Sequence, residues 1–227
     1  MKKQSLRAVA DSWPLENGDR LDQPTFHDRY EATGEHVHAE LIGGIVHMPS
    51  PARVPHSRLH SRVHGWLIHY QDATPGVEAL IGPTAILGAW SEPEPDIVLL
   101  VQPEHGGQTG VESEYLVGSP ELMVEIAYSS ASYDLGQKKQ DYEQAGAREY
   151  LVFTVRDSHA HWFERTESGF KAIEPDEHGI LRSGFFPGLW LDPTALFAGD
   201  MPTVYRVLHE GLATPEHADW RGAISRD

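Results

Sequence analysis

Three ionisable side chains fall within segments whose apolar pattern predicts burial. Glu125 lies in the middle of ELMVEIAY, a run with the composition of a buried β-strand. Asp96 follows a proline and begins a second strand-like run, DIVLL. Lys138 shares a helical stripe with Tyr142 in DLGQKKQDYEQAG. An unpaired carboxylate in an apolar interior is costly or becomes protonated, so Glu125 requires a partner.

Two kinds of partner are open to Glu125. Side chains alternate along a strand, so Met123, Glu125 and Ala127 share one face, where their small or flexible side chains leave room. Lys138 could reach this face from the following helix and form a buried ion pair. Asp96 could instead share a divalent cation with Glu125, because Mg²⁺ is held by one or two carboxylates together with water and phosphate oxygens.

The order of these residues resembles a nuclease superfamily. Pro95-Asp96, then Val124-Glu125, then a lysine resemble the PD-(D/E)xK pattern. The longer segments AELIGGIVHMPSP, EPDIVLL, PELMVEI and DLGQKKQDYEQAGAREYLVF resemble the Uma-two family of that superfamily, over residues from about 26 to about 197. The resemblance implies a restriction-endonuclease-like core, cleavage of DNA phosphodiester bonds that depends on Mg²⁺ or Mn²⁺, and a homodimer.

The resemblance also implies roles for individual residues. Asp96 and Glu125 match the metal-binding carboxylates, and Glu40 matches an acidic residue of the first strand, although Glu40 could equally face solvent. The superfamily's lysine usually lies two residues after the second carboxylate, where this chain has Ala127. Lys138 takes its place and would stabilise the attacking water or the developing negative charge. Tyr142 is expected in a supporting position, with its hydroxyl group hydrogen-bonded.

The charge distribution limits how the chain could contact nucleic acid. The formal net charge is −16, from 34 acidic and 18 basic residues, which argues against a broad cationic surface. No acidic residue occurs between Leu41 and Gln71. That segment holds the predicted substrate-binding residues, which are Arg53, His56, Arg58 and Arg62.

Two other classes of protein remain open. A catalytically inactive member of the same fold would use Glu125 and Lys138 only as an ion pair, as a dimeric scaffold or binding module. A histidine-based metal-binding protein would use His56, His60 and His64, which are spaced to lie on one helix face and could bind Zn²⁺ or Ni²⁺. No acidic motif accompanies these histidines, so a solvated helix face explains them as well.

The predicted elements alternate between strands and helices. A helix is predicted at residues 24–31, a hairpin around Gly43-Gly44, and an amphipathic helix after Pro55. Strands follow at 76–81, 84–88 and 96–101, then a glycine-rich loop at 102–120, a strand at 122–127 and a helix at 133–145 capped by Ser132. REYLVFTV, HAHWFER and FKAIEP are predicted as strands and PTALFAG as a helical turn. This order predicts an α/β or α+β fold with a central mixed sheet flanked by helices.

Composition and length bound the remaining properties. We expect an N-terminal extension at 1–25, a restriction-endonuclease-like domain at 26–199 and a polar, peripheral tail at 200–227. The absence of cysteine excludes disulfides, thiolate metal sites and cysteine nucleophiles. No apolar segment has the length of a signal peptide or a membrane span, which predicts a cytoplasmic protein without membrane contact.

Overall fold

The computed structural model describes residues 14–33 and 37–224, and a six-stranded sheet lies at its centre. The strands are β1 (Glu40–Ile42), β2 (Ile45–His47), β3 (Val77–Ile81), β4 (Ala85–Ile86), β5 (Ile97–Val101), β6 (Gly110–Glu112), β7 (Tyr115–Val117), β8 (Leu122–Ala127), β9 (Glu149–Thr154), β10 (His159–Thr166), β11 (Gly169–Ala172), β12 (Leu181–Arg182) and β13 (Trp190–Leu191). The helices are α1 (Gln23–Glu31), α2 (Val54–Ala73), α3 (Ala131–Tyr133), α4 (Lys139–Ala145), α5 (Pro193–Ala198), α6 (Met201–Leu212) and α7 (Pro215–Ile224). A 3₁₀ turn spans Pro103–His105, and a π-helical segment, Asp134–Lys138, joins α3 to α4.

The central sheet has the strand order β11-β10-β9-β8-β5-β3 and is mixed, as predicted. Strands β8 and β9 are parallel, because the helical segment from α3 to α4 crosses over between them. The other neighbouring strands in this sheet are antiparallel. Ile97 of β5 pairs with Val124 of β8, so the residue before Ile97 lies opposite Glu125.

The two faces of β8 enter two different hydrophobic cores. Leu122, Val124 and Ile126 pack in the core that contains α2, which contributes Trp66. Met123 and Ala127 pack in the second core, beneath the crossover segment. The predicted alternation along β8 is therefore confirmed, and Glu125 faces the second core.

The hairpin β1–β2 brings Glu40 towards the same side of the sheet. Gly43 and Gly44 have φ angles of +56° and +77°, which a two-residue turn of this kind requires, so the predicted hairpin is confirmed. The backbone groups of Leu41 and Glu92 exchange two hydrogen bonds of 3.0 and 2.8 Å, which tie the hairpin to the strand-rich segment before Asp96.

The prediction of a polar, peripheral tail at 200–227 is wrong for residues 201–224. Helix α6 buries Val204 and Leu208 in the α2 core, and His217 of α7 forms a buried 2.9 Å hydrogen bond with the Thr74 hydroxyl group. The apolar stripe of α6 is narrow and lies among polar residues. The domain therefore extends beyond 199. Of the predicted N-terminal extension, residues 1–13 lie outside the described part, while Leu15 packs with the core that contains Phe26.

Two further boundaries differ from the sequence-based prediction. The segment predicted as a glycine-rich loop contains β6 and β7, which form a three-stranded sheet with β4. Ser113 and Glu114, at φ angles of 49° and 73°, make the turn between β6 and β7 without the glycine that normally marks such a turn. The crossover helix begins at Ala131 rather than at Tyr133. None of the helices in the described ranges is long and apolar enough to cross a membrane.

Candidate active site

Asp96 and Glu125 lie beside each other on neighbouring strands. Asp96 immediately precedes β5, and its Oδ2 atom accepts a 2.7 Å hydrogen bond from the backbone N–H of Ile126. Glu125 lies at the centre of β8. The antiparallel pairing of β5 with β8 thus produces the adjacency that the sequence predicted for these two carboxylates.

Lys138 bridges two buried carboxylates. Its ammonium nitrogen lies 2.9 Å from Oε1 of Glu125 and 2.9 Å from Oε2 of Glu40. The hydroxyl group of Tyr142, one helical turn further along, donates a 2.9 Å hydrogen bond to the same Oε1 atom of Glu125. The predicted contact between Lys138 and Glu125 is present, and Tyr142 is buried with its hydroxyl group bonded as expected.

The π-helical segment sets the direction of Lys138. The hydrogen bonds of such a segment span five residues instead of the four of an α-helix, which changes which side chains face inward. It is held at its beginning by Ser130, whose hydroxyl group donates a 2.5 Å hydrogen bond to Asp134, and by Tyr150, whose hydroxyl group donates a 3.0 Å bond to the Asp134 carbonyl oxygen. Asp134 is not among the site residues predicted from the sequence. Its position four residues before Lys138 on an inward-facing stripe is the signal that could have identified it.

Acidic groups outnumber cations around Lys138. Glu40, Glu125 and Asp134 are 7 %, 5 % and 3 % exposed, and Lys138 is 4 % exposed. Burial raises the pKa of Glu125 well above its usual range, although Lys138 opposes the shift. Burial also raises the pKa of Asp134 to about 6.

Lys138 stays protonated. Burial disfavours its charge, but Glu125 and Glu40 outweigh that effect and hold the pKa of Lys138 well above its usual range. The raised pKa values of Glu125 and Asp134 mean that their carboxylate forms are disfavoured here, so an additional cation at the cluster would stabilise those forms.

Two histidines of α2 support Asp96. His56 Nε2 lies 3.3 Å from Asp96 Oδ1, and His60 Nε2 forms a 3.0 Å hydrogen bond with the Asp96 carbonyl oxygen. Burial disfavours ionisation of Asp96, but His56 and the Ile126 N–H outweigh it and lower the pKa of the Asp96 carboxyl group. Asp96 is therefore ionised at neutral pH, and its side chain is 25 % exposed.

The carboxylates of the site suit Mg²⁺ better than an ion whose ligands must all come from the protein. Within residues 14–33 and 37–224, no group of three or more His, Asp or Glu side chains is arranged to hold a metal by itself. Mg²⁺ requires only one or two carboxylates when water and substrate phosphate supply the other oxygens. Asp96 and Glu125 supply two such carboxylates, and Glu40 and Glu125 are both in contact with Lys138. His56 and His60 turn towards Asp96 instead of forming a separate cluster with His64.

The structure separates the predicted substrate-binding arginines. Arg58 and Arg62 each follow an Asp96-facing histidine by two residues, which places them about 200° around the helix axis from His56 and His60. The Arg62 guanidinium donates hydrogen bonds of 3.1 and 2.9 Å to the carbonyl oxygens of Leu196 and Phe197 at the end of α5. Arg53, exposed at the beginning of α2, lies on the side of the site.

Comparison with known proteins agrees with this architecture. The chain is similar to a solved structure titled as a putative nuclease belonging to DUF820 from Anabaena variabilis, with a TM-score of 0.55 and 13 % sequence identity over 82 % of this chain and 97 % of that chain. At this identity the likeness shows the fold alone, which is a mixed α/β fold with a central mixed sheet flanked by helices. A comparison with curated proteins finds no match. Residues 24–194 match the Uma2 family, whose description is "Putative restriction endonuclease", and the chain therefore belongs to the Uma2 family.

Proposed function

We propose that this protein is a divalent-metal-dependent endonuclease that hydrolyses DNA phosphodiester bonds. One observation carries the proposal: Asp96 and Glu125 lie together on paired strands, and the Lys138 ammonium group lies 2.9 Å from Glu125. Two acidic ligands and a fixed cation are the components that metal-assisted phosphoryl transfer needs. Membership of the Uma2 family and the fold shared with the structure titled as a putative nuclease from Anabaena variabilis support the proposal.

The proposed roles follow from the surroundings of each side chain. Asp96 and Glu125 would hold Mg²⁺ or Mn²⁺, which when bound polarises a phosphoryl oxygen and lowers the pKa of a bound water. Asp96 is suited to this because it is ionised and partly exposed. Tyr142 and Lys138 fix the orientation of Glu125 through its Oε1 atom.

Lys138 would act through its positive charge and its hydrogen bonds, and not as a general base that accepts a proton. With its pKa held well above the usual range, its ammonium group remains charged at neutral pH and is a poor general base. It can donate to Glu125 and to an anionic phosphate oxygen brought close to the site, a preorganised electrostatic role. Glu40 holds Lys138 from the other side.

The homodimer implied by the family resemblance and the cytoplasmic location predicted from the apolar pattern of the sequence remain predictions. Light scattering on the purified protein checks the first, and fractionation of cells that express the chain checks the second.

The alternative, an inactive scaffold or binding module of the same fold, has an observation in its favour. Lys138 contacts the carboxylates of Glu40 and Glu125. The Oε1 atom of Glu125 accepts hydrogen bonds from both Lys138 and Tyr142, so protein groups alone satisfy this part of the site. Such a network would persist as a structural ion pair in a protein that catalyses nothing.

A titration with Mn²⁺ separates these functions. The wild type, Asp96→Asn, Glu125→Gln and His60→Ala are compared, with the exposed Glu174→Gln as matched control. The nuclease proposal predicts that Asp96→Asn and Glu125→Gln each weaken Mn²⁺ binding at least about tenfold, as loss of a ligand does, while Glu174→Gln binds like the wild type. Loss of binding only in His60→Ala would assign the ion to the histidines. No binding in any protein, together with no cleavage, would support the scaffold.

A further inference from the structure

Two arginines from distant parts of the chain meet on one tyrosine ring. The guanidinium carbon of Arg53 lies 5.5 Å from the centre of the Tyr128 ring, and that of Arg156 lies 5.0 Å from the same point. Both arginines are exposed and Tyr128 is half-buried. At these distances each guanidinium is attracted to the ring. We call Arg53, Tyr128 and Arg156 the arginine clamp.

The clamp is built on the same elements as the candidate active site. Tyr128 directly follows β8, the strand that carries Glu125. Arg53 begins α2 three residues before His56, which contacts Asp96. Arg156 lies two residues after the end of β9. The residue between them, Val155, donates a 2.9 Å backbone hydrogen bond to the carbonyl oxygen of Ala127 at the end of β8. The clamp therefore lies at the end of the sheet where β8 and β9 terminate, beside the site.

The charge of the clamp is not neutralised by the protein. Among the described residues, no carboxylate oxygen lies within 4.0 Å of a nitrogen atom of Arg53 or Arg156. Arg29, Lys138, Arg182 and Arg206, by contrast, each have such a partner. Arg182 is the informative comparison, since its guanidinium also covers an aromatic ring, 4.0 Å from the centre of Trp190, yet bonds to Asp176 at 2.7 Å.

Two guanidinium groups that lie within 5.5 Å of one ring centre, neither with a carboxylate partner in the described part of the chain, concentrate positive charge at this end of the sheet. On a chain of net charge −16, two exposed arginine side chains without a carboxylate partner among the described residues are suited to bind an anion from outside the protein. Guanidinium groups bind phosphate through paired N–H donors, and a planar aromatic ring holds such groups in a fixed orientation.

We propose that the arginine clamp binds the phosphodiester backbone of a nucleic acid strand next to the phosphate that occupies the candidate active site. Tyr128 is a positioning residue that orients both guanidiniums. The proposal deepens the nuclease function and rests on it for the choice of nucleic acid as the ligand. The proposal also gives a substrate-binding role to Arg156, in the turn after β9. Arg156 lies outside the 41–71 segment from which the substrate-binding residues were predicted.

Binding is measured without cleavage, by fluorescence anisotropy of labelled single-stranded and duplex oligonucleotides with EDTA present. Arg53→Ala and Arg156→Ala should each raise Kd about fivefold to twentyfold at moderate salt, and each should reduce the slope of log Kd against log salt by about one. Tyr128→Phe should bind like the wild type, and Tyr128→Leu should weaken binding because the ring is lost. Arg182→Ala, the matched control, should leave Kd and slope unchanged.

The outcomes separate the clamp from the nuclease function. Unchanged Kd and salt slope in Arg53→Ala and Arg156→Ala, or no DNA binding by the wild type, overturn the clamp. Normal cleavage by the wild type, with an unchanged KM in both arginine variants, overturns the clamp and leaves the nuclease intact. Clamp-dependent binding without any cleavage supports the clamp and contradicts the nuclease. Because both arginines are exposed, an unchanged urea midpoint checks that each variant is folded.

Discussion

Lys138 and Glu125 lie 2.9 Å apart although thirteen positions of chain and a change from helix to strand separate them. In the superfamily that this chain resembles, the lysine usually stands two residues after the glutamate. Here that position is Ala127, which is 1 % exposed and packed in the second core. A long side chain at 127 would have to displace that packing, whereas the π-helical segment brings an ammonium group to the same carboxylate from outside the sheet.

Replacing Lys138 with methionine should destabilise the protein strongly. The change keeps the volume of the side chain but leaves Glu40 and Glu125 buried without their shared cation. We expect a loss of about 3–5 kcal/mol in the free energy of unfolding, measured by urea denaturation. The exposed Lys171→Met serves as control and should change it by less than about 0.5 kcal/mol.

A double-mutant cycle isolates the contact between Lys138 and Glu125. Adding Glu125→Gln to Lys138→Met removes one of the two carboxylates left without a partner, so the double variant should regain part of the lost stability. Additive effects of the two changes would contradict the proposed coupling.

Asp134 should give the protein a distinct dependence on pH. Its pKa in the folded state is about 6, above the ordinary value of 3.8, because burial disfavours the carboxylate. Folding therefore favours the protonated form, and the stability that Asp134 contributes is complete below pH 3.8 and is lost as pH rises through 6. The shift corresponds to about 3 kcal/mol.

Asp134→Asn tests this dependence because the amide keeps an acceptor for Ser130 but does not titrate. Urea denaturation in EDTA at about pH 4 and about pH 7 should show the wild type gaining up to about 3 kcal/mol relative to the variant on acidification. Parallel stability curves for the two proteins would mean that Asp134 is not shifted.

Glu149 should matter for stability without affecting the active site. This fully buried carboxylate accepts hydrogen bonds from the Trp162 indole at 3.0 Å, the Ser183 hydroxyl group at 2.8 Å and the Gly184 and Phe185 backbone N–H groups at 2.7 and 2.8 Å. Glu149→Gln should lower the free energy of unfolding by about 2–4 kcal/mol, since an amide cannot accept all of these bonds. Mn²⁺ binding by the folded variant should be unchanged; a loss there would show that the two regions are coupled.

Arg62 should be structural, contrary to the sequence-based expectation that it contacts substrate. Arg62→Gln removes the charged donor to the carbonyl oxygens at the end of α5, which should cost about 1–3 kcal/mol of stability. DNA binding by the folded variant should match that of the wild type. Weaker DNA binding with unchanged stability would instead place Arg62 at the substrate.

The sequence was most informative where the alternation of side chains along a strand and the residue types on each face pointed to the same structure. One carboxylate in the apolar strand 122–127, with its face fixed by alternation, was enough to predict its burial and its neighbours. The sequence pattern left the adjacency of Asp96 and Glu125 as one of two alternatives, which the family resemblance favoured, and the antiparallel pairing of β5 with β8 produces it. Alternation is a local property of the chain, and pairing of the strands places the residues of one face next to each other in space.

The sequence was less informative where tertiary contacts decided the outcome. Arg62 resembled a surface cation until the position of α5 was known. Arg58 is exposed, but it lies about 200° around α2 from His56. Helix α6 carries a narrow apolar stripe that becomes a core element only because α2 lies opposite. Arg156 and Arg53 are far apart in the chain: the parallel pairing of β8 with β9 brings Arg156 to the Tyr128 ring, and the beginning of α2 brings Arg53 to it.

Cleavage of labelled DNA tests the central claim most directly. Single-stranded and duplex oligonucleotides are incubated with Mn²⁺ and the wild type, Glu125→Gln or the control Glu174→Gln, and the fraction cleaved is followed with time. We predict cleavage by the wild type and the control, abolition by EDTA, and a loss of at least about a hundredfold in Glu125→Gln, as removal of a group acting at the transition state produces. Equal cleavage by Glu125→Gln and the wild type, or no cleavage by the wild type of any DNA tested, would contradict it.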